Sequence, residues 1–200
     1  LAALFAWIVG IPIGIVSAVK KNKWIDHLFM GFSLFGVSMP VFWIGLILQN
    51  TFKHVLPVSG FDTWKHMILP TIVLGWSSSG TIARLTRSSL LEVMRNDYIR
   101  TARAKGLQDL FVILNHAFKN AIIPVVTVMA IQLASLLSGA VITETIFSIP
   151  GIGRLSVNAI ENRDAPLLQG TVIFTAALII AGNLIADLLY SVIDPRIRVD

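Results

Sequence analysis

The chain of 200 residues contains no cysteine. Disulfide staples and thiol chemistry are therefore excluded, and the redox compartment stays undetermined. Charge is also scarce. Asp, Glu, Lys and Arg make up 14% of the residues, against about 25% in a soluble domain. There is no Gly-x-x-x-x-Gly-Lys-Ser/Thr loop, so the chain offers no such cradle for ATP phosphates. Gly151-Ile-Gly153 is too short for a nucleotide motif and reads as a loop turn after Pro150. His27, His54, His66 and His116 are scattered and make no cluster with metal-ligand spacing. No paired intramembrane Asp and no Ser–His pair supports an intramembrane enzyme. No repeated filter or charge ring supports an ion channel. Neither an internal repeat nor a low-complexity tract is evident.

What is present is apolar. Hydrophobic residues are 55% of the chain and mean hydropathy is +0.77, which places it in the membrane class. The first residue is Leu, inside an apolar run, so the sequence reads as a fragment lacking its natural N-terminus. A membrane helix needs about 20 mostly apolar residues. Five segments qualify, at about 1–19, 28–52, 67–85, 121–143 and 165–186. The expectation is an all-α membrane protein forming one domain over 1–200. Pro12, Pro40 and Pro124 lie within spans and invite kinks. Gly10-x-x-x-Gly14 permits close helix approach. Trp24, Trp43 and Trp64 suit interfacial belts or packing.

Net charge is +5, an excess that belongs to cytoplasmic loops rather than to a nucleic-acid site. With five alternating spans, one side collects Lys20, Lys21, Lys23, Arg84, Arg87, Arg95, Arg100, Arg103, Lys105, Lys119, Arg196 and Arg198. The other side holds only Lys53, Lys65, Arg154 and Arg163. The first side is expected in the cytoplasm, with the N-terminus of the fragment outside and its C-terminus inside.

The largest inside segment is 86–120. Before Gly106, Leu91, Met94, Tyr98 and Ala102 recur at helical spacing; after it come Leu107, Leu110, Phe111, Leu114 and Phe118. Asp109 falls in the first turn of the second helix, where it complements the dipole. Glycine tolerates the left-handed bend between two helices. The segment thus reads as two amphipathic helices joined at Gly106. Three roles fit: a basic loop touching anionic lipid, a helix lying on the bilayer, or a docking element for a cytoplasmic protein.

Among polar groups in or near spans, Ser77, Ser78, Ser79, Thr81, Gln132, Ser135, Ser138 and Asn183 either bond between helices or line a path. Glu144, near the outer end of the fourth span, is either a pathway residue or an interfacial carboxylate. Asp187 is an ionisable group toward the inner end of the fifth, or it pairs with Arg196.

The run Asp97-Tyr-Ile-Arg-Thr-Ala-Arg-Ala-Lys-Gly106, followed by Asn115-His-Ala-Phe-Lys-Asn-Ala-Ile-Ile-Pro124, resembles the signature loop of ABC-importer permeases. The similar branch is the dipeptide/oligopeptide/nickel permease family, in its first, B-type subunit. Ser38-Met-Pro-Val-Phe-Trp-Ile-Gly45, Ile68-Leu-Pro-Thr71, Ala83-Arg-Leu-Thr-Arg87, Glu144-Thr-Ile-Phe-Ser-Ile-Pro-Gly-Ile-Gly153 and Asp194-Pro-Arg196 extend the likeness along the chain. The general signature is Glu-Ala-Ala, three residues, Gly, nine residues, then Ile-x-Leu-Pro. Aligned on Gly106, its Glu-Ala-Ala positions hold Arg100, Thr101 and Ala102, and its Ile, Leu and Pro positions hold His116, Phe118 and Lys119. Only Ala102 and Gly106 match strictly.

The resemblance implies a type I ABC importer transmembrane domain with five of six spans present. It implies an ATPase-coupling segment containing Tyr98, Arg100, Thr101, Ala102, Arg103, Ala104, Lys105, Gly106, Leu107 and Asp109. The expected partners are two ABC ATPase subunits, a second permease subunit of C-type, an extracytoplasmic substrate-binding protein and the lipid bilayer. ATP and Mg would sit in the ATPase subunits, with no cofactor on this chain. Candidate path residues are Ser78, Gln132, Ser135, Glu144 and Asn183. The implied cargo is peptides or related small solutes; nickel or metal chelates and glutathione are the alternatives. The implied location is a bacterial or archaeal inner membrane.

Overall fold

The computed structural model describes residues 1–137 and 139–193, with side chains to residue 185. Every regular element among them is helical. Ser138 and the Asp194-Pro-Arg196 motif lie outside the described residues, as does the side chain of Asp187.

Helix α1 (Ala2–Val19) is charge-free and continuous, with Pro12 absorbed inside it. Helix α2 (Trp24–Ser38) leads to α3 (Val41–Phe52), and α4 (Ile68–Val93) follows a short 3₁₀ turn at Trp64–Met67. The short α5 (Asp97–Ala104) is separated by the Gly106 turn from one continuous helical stretch. That stretch comprises α6 (Asp109–Phe111), a π-helical segment Val112–Ala117, and α7 (Phe118–Ala121). Helix α8 (Ile123–Leu137), the short α9 (Val141–Ile146), α10 (Ile152–Glu161) and α11 (Ala165–Ile193) complete the chain.

The spans depart from their expected limits. The third runs on in α4 to Val93 rather than ending at Leu85, and the fifth runs on in α11 to Ile193 rather than ending at Ala186. The second is broken: α2 and α3 meet at 103°. The cause is Pro40, which forces its predecessor out of the helical region; Met39 is extended at φ −80°, ψ 134°. The fourth ends at Leu137 instead of Thr143, and Thr143 belongs to the separate helix α9. Its entry is also bent, by 53° between Ala121 and Ile123. Pro124 sits in the first turn of α8, where its missing N–H costs little. By length and apolarity α1 and α11 can cross a membrane, and four crossings result if each bent pair counts as one. Helix α4 has 26 residues, but Ser77–Ser79, Thr81 and Arg84 dilute its apolar character. It occupies the centre of the bundle, packed against α1, α2, α3, α8 and α9, so protein rather than lipid surrounds much of it.

Helices α1 and α4 run parallel and unusually close. A Cβ on Gly10 would lie 2.7 Å from the Ser79 carbonyl oxygen, and one on Gly14 would lie 2.5 Å from the Thr86 Cβ. The expected glycine face thus brings the two backbones together. Helix α2 returns antiparallel on α4, with Gly36 against Trp76 and Ser33 against Gly80. Phe32 stacks on Trp76 at 4.8 Å. The bundle therefore has two distinct ends. Ala2 lies by Gly75 at one, and Ala18 packs with Leu90 at the other.

Candidate functional site

The Gly106 end is built on one apolar core. Ile99 and Ala102 of α5 pack with Ala18 of α1, Leu90 of α4, and Val112, Ile113, Ala117 and Ala121 of the stretch leading into α8. Ile99 is fully buried, which contributes about 2 kcal/mol to holding α5 in place. The coupling candidate is therefore joined to three bundle helices at once.

Its inward faces differ from those expected. Leu91 belongs to α4, because the chain breaks at Met94–Asn96 before α5 begins. Ile99 and Ala102 face the core, whereas Tyr98 is 44% exposed. After the turn, Leu107, Leu110, Phe111 and Leu114 are exposed, and Val112, Ile113 and Ala117 are buried instead. The sequence is apolar on both sides there. The wider π-helical turn over Val112–Ala117 decides which side faces in, since it shifts the register that a 3.6-residue period would give.

Gly106 adopts φ +78° with open space around it, so backbone conformation alone calls for glycine. Arg103 Nε donates to Asp109 Oδ1 at 3.0 Å across this turn. Asp109 thus has a specific partner besides the helix dipole. Arg100 lies 3.5 Å from Asp97 and is largely exposed. Thr101 Oγ1 donates to the Asp97 carbonyl oxygen at 3.0 Å. Asn120 Nδ2 donates to the Tyr98 hydroxyl at 3.0 Å, tying α5 to α7. Ala104, Lys105 and Leu107 are exposed. An apolar patch of Leu107, Leu110, Phe111 and Leu114 thus lies beside Arg100, Arg103 and Lys105 in sequence and around one turn.

One partner of this end was not legible in the sequence. Arg87 grips Asp26 through two hydrogen bonds of 2.7 Å, Nε to Oδ1 and Nη2 to Oδ2. The Asp26 side chain is 2% exposed. The Asn22 backbone N–H adds a third hydrogen bond at 2.9 Å. These bonds lock the α1–α2 turn to α4. Asp26 precedes the second expected span and Arg87 follows the third. The Arg87 hydrogen bond, helped by Asn22 and opposed by burial, lowers the Asp26 pKa from 3.8 to about 2.

At the opposite end, Glu144 organises the loop between α9 and α10. Its Oε1 accepts from Ala140 N–H at 3.1 Å, and its Oε2 accepts from Arg154 N–H at 2.9 Å. A Cβ on Gly151 would overlap the Glu144 carboxyl group, so the close approach requires glycine. Gln49, also absent from the sequence-derived candidates, donates to the carbonyl oxygens of Val58 and Ile146 at 2.8 and 2.9 Å. Gly60 N–H donates to the Phe147 carbonyl oxygen at 3.0 Å. The 53–63 and 147–151 loops are thereby joined. Glu144 also borders a cavity of about 390 Å³.

Of the path candidates, Ser78 and Gln132 are together: Gln132 Nε2 donates to the Ser78 carbonyl oxygen at 3.3 Å, joining α8 to α4. Ser135 and Asn183 are exposed on α8 and α11, beside the contact of Ala134 with Gly182. Glu144 lies on α9. Among the described residues no group of three His, Asp or Glu side chains could hold a metal.

Residues 10–199 match the model of the binding-protein-dependent transport system inner membrane component family. The chain belongs to that family. This permease is 45% identical to the dipeptide transport system permease protein DppB of Escherichia coli K12, an alignment covering 98% of this chain and 68% of that protein. It is 44% identical to the glutathione transport system permease protein GsiC of Pectobacterium atrosepticum, over 96% of this chain and 65% of that protein. The two alignments differ in length. The first runs over 231 positions, more than this permease contains, so DppB carries residues without counterpart here. The second runs over 198. The fold is similar to a chain in inward-facing structures of the MetNI methionine ABC transporter, with TM-score 0.80 and 14% identity over 96% of this chain and 89% of that one. The permease therefore has the type I ABC importer transmembrane fold and is an inner-membrane component of an ATP-driven, binding-protein-dependent importer.

Proposed function

We propose that this permease carries small peptides inward and that 86–120 is the segment on which its ATPase subunits act. The observation that carries the reading is the exposed apolar patch of Leu107, Leu110, Phe111 and Leu114 beside Arg100, Arg103 and Lys105. An apolar patch with a charged rim suits a groove on a protein partner. The buried side of the same segment packs on α1, α4 and the approach to α8. A push on α5 is therefore delivered to three helices of a packed bundle, which biases a two-state arrangement.

In this reading the Gly106 end is cytoplasmic and the Glu144 end faces the substrate-binding protein. The twelve-to-four partition of basic residues supports that orientation. Two ATPase subunits hold ATP and Mg, and a second, C-type permease completes the path. Ser78 and Gln132 line that path at the α4–α8 contact, and Ser135 and Asn183 line it on exposed faces of α8 and α11. Peptide cargo follows from the likeness to the dipeptide and glutathione permeases. Glutathione is the second reading, on the likeness to the glutathione permease.

The test is reconstitution of the complete importer in proteoliposomes, with uptake of a labelled dipeptide or glutathione measured beside ATP hydrolysis. Leu110→Asp with Phe111→Asp should abolish uptake and release the ATPase subunits during purification. Normal uptake and a stable complex would exclude docking at this patch. Failure of the unmodified importer to move either probe would exclude the peptide reading.

A further inference from the structure

Arg84 is a charge at membrane depth that the fold leaves unpaired. At that level α4 lies against the Gly10–Gly14 part of α1: the Cβ position of Gly10 meets Ile82, and that of Gly14 meets Ala83 and Thr86. Helix α1 carries no charge and is long enough to cross a membrane. Arg84 therefore stands inside the apolar layer, well short of the Lys20–Lys23 turn. Its side chain is exposed, and among the described residues it has no ion-pair or hydrogen-bond partner. Ser77, Thr81 and Ser88 share its face of α4, at intervals of four, three and four residues. Ser77 and Thr81 are half-buried and Ser88 is exposed. The other sides of α4 are taken. Helix α1 packs on Ser79 and Ile82, α2 on Trp76, Gly80 and Arg87, and α8 reaches Ser78. Toward the start of α4, Val73 packs with Ile44 and Phe147; toward its end, Leu91 packs against the α5 core. Between these contacts the polar face is an open window. Lipid does not suit it. The exposed face of α11 is apolar, with Val172, Ile173, Phe174, Ile180 and Leu184. A charge within a span turns instead to a water-filled path or to another charge. Reaching back to lipid headgroups would account for Arg84, but not for the hydroxyl groups of Ser77 and Thr81 on its far side.

We propose that this face of α4 lines the translocation path and that Arg84 takes the carboxylate of a peptide as it crosses. The inference rests on the peptide reading above and deepens it. A guanidinium offers a carboxylate two parallel hydrogen bonds. The hydroxyl groups of Ser77, Thr81 and Ser88 can donate to peptide carbonyls or accept from peptide N–H groups. Ser77 to Ser88 covers about 16 Å of helix, so the peptide meets hydroxyl groups before and after the charge. A free carboxyl terminus is common to peptides whatever their side chains, so one arginine serves a mixed cargo.

The chain has no cysteine, so Thr81→Cys places one thiol a turn from Arg84. The importer is reconstituted in nanodiscs without its binding protein, so that the selectivity of that protein does not enter. Labelling of Thr81→Cys by anionic and cationic methanethiosulfonates is followed by peptide mass spectrometry. Relative to their rates on free cysteine, the anionic reagent should react about tenfold faster than the cationic one, the lower end of what a charged cleft imposes on its counter-ion. Ile173→Cys, on the apolar face of α11, should react with neither. Excess Ala-Ala should slow the anionic reagent severalfold, and Ala-Ala amide should not. Adding Arg84→Gln should remove the charge preference and the protection together, while Arg84→Lys should keep the preference. An unreactive Thr81→Cys would mean that lipid or the second permease covers this face, and it overturns the proposal. So does the lack of an anionic preference, equal slowing by the two peptides, or protection that survives Arg84→Gln. Uptake of Ala-Ala by the complete importer, with the unaltered permease, separates the two levels. If uptake occurs without carboxylate-dependent protection, only the role of Arg84 falls; if no peptide is taken up, the peptide reading falls with it.

Discussion

Arg87 and Asp26 are 61 residues apart in sequence, yet they form a bidentate pair with both hydrogen bonds at 2.7 Å. The pair clamps the start of α2 to α4, ahead of α5. Removing one partner leaves the other charge at a buried or half-buried position, which costs about 3 kcal/mol. Asp26→Asn and Arg87→Met should each lower the thermal unfolding midpoint of the detergent-solubilised permease. The double variant should lose less than the sum of the two, because the pair is broken only once.

The same pair sets a pH dependence of known sign. The folded carboxyl of Asp26 titrates at about 2 rather than 3.8. A depressed carboxylate contributes its stability above the unfolded value and loses it as pH falls through the folded one. The stability difference between the unaltered permease and Asp26→Asn should therefore stay constant above pH 3.8 and shrink as pH falls toward about 2. Unfolding by denaturant at several pH values measures it. A difference that grows on acidification would rule out the clamp as the source.

At Gly106 the strain is in the backbone alone. A φ of +78° with nothing near the Cβ position predicts that Gly106→Ala costs about 1–2 kcal/mol through the left-handed conformation. Gly106→Asn should cost less, because asparagine visits that region more readily. The change is local, so hydrogen exchange of the α5 amides is the suitable readout. Exchange should quicken in the order glycine, asparagine, alanine, while amides of α1 and α4 stay protected.

How much of this was legible in the sequence depended on whether the signal was local. The turn at Gly106 was, since helical spacing on both sides left the glycine between two helices. The close approach at Gly10 and Gly14 was also legible, because a four-residue interval of small side chains marks one helix face. The inward faces of α5 and of the stretch after Gly106 were not. Leu110 and Phe111 are as apolar as Val112 and Ile113, and only the π-helical register separates them. The Asp26–Arg87 clamp and the Gln49 anchor join elements distant in sequence and leave no periodic trace. Pro40 announced a kink but not its 103° size. Glu144 was visible as a lone carboxylate, whereas its role in gathering Ala140, Gly151 and Arg154 required the fold.

The contact between α1 and α4 yields a stability prediction. Gly14→Val would place a branched side chain where the Cβ already meets the Thr86 Cβ at 2.5 Å and the Ala83 carbonyl oxygen at 2.6 Å. Relief requires the backbones to separate, at a cost of about 1–3 kcal/mol. Gly31→Val in α2, where nothing lies within 4 Å of the Cβ position, is the matched control and should have little effect on packing. Thermal unfolding of the two variants should differ in that order. Equal midpoints would mean that α1 and α4 are not held together at this distance.

Coupling itself is tested by the Tyr98–Asn120 hydrogen bond. At 3.0 Å it links α5 to α7 outside the buried core, so its loss should cost only about 1 kcal/mol of stability. If α5 transmits force from the ATPase subunits to α8, loosening this link should separate hydrolysis from transport. Tyr98→Phe and Asn120→Ala should each raise the ATP hydrolysed per peptide taken up, with expression and assembly unchanged. Arg103→Glu acts on the outer face instead. Because its exposed pair with Asp109 contributes little stability, Asp109→Asn should be mild. Arg103→Glu should weaken association with the ATPase subunits, measured by co-purification. If Arg103→Glu and Asp109→Asn behave alike, the arginine serves the Gly106 turn and not the partner.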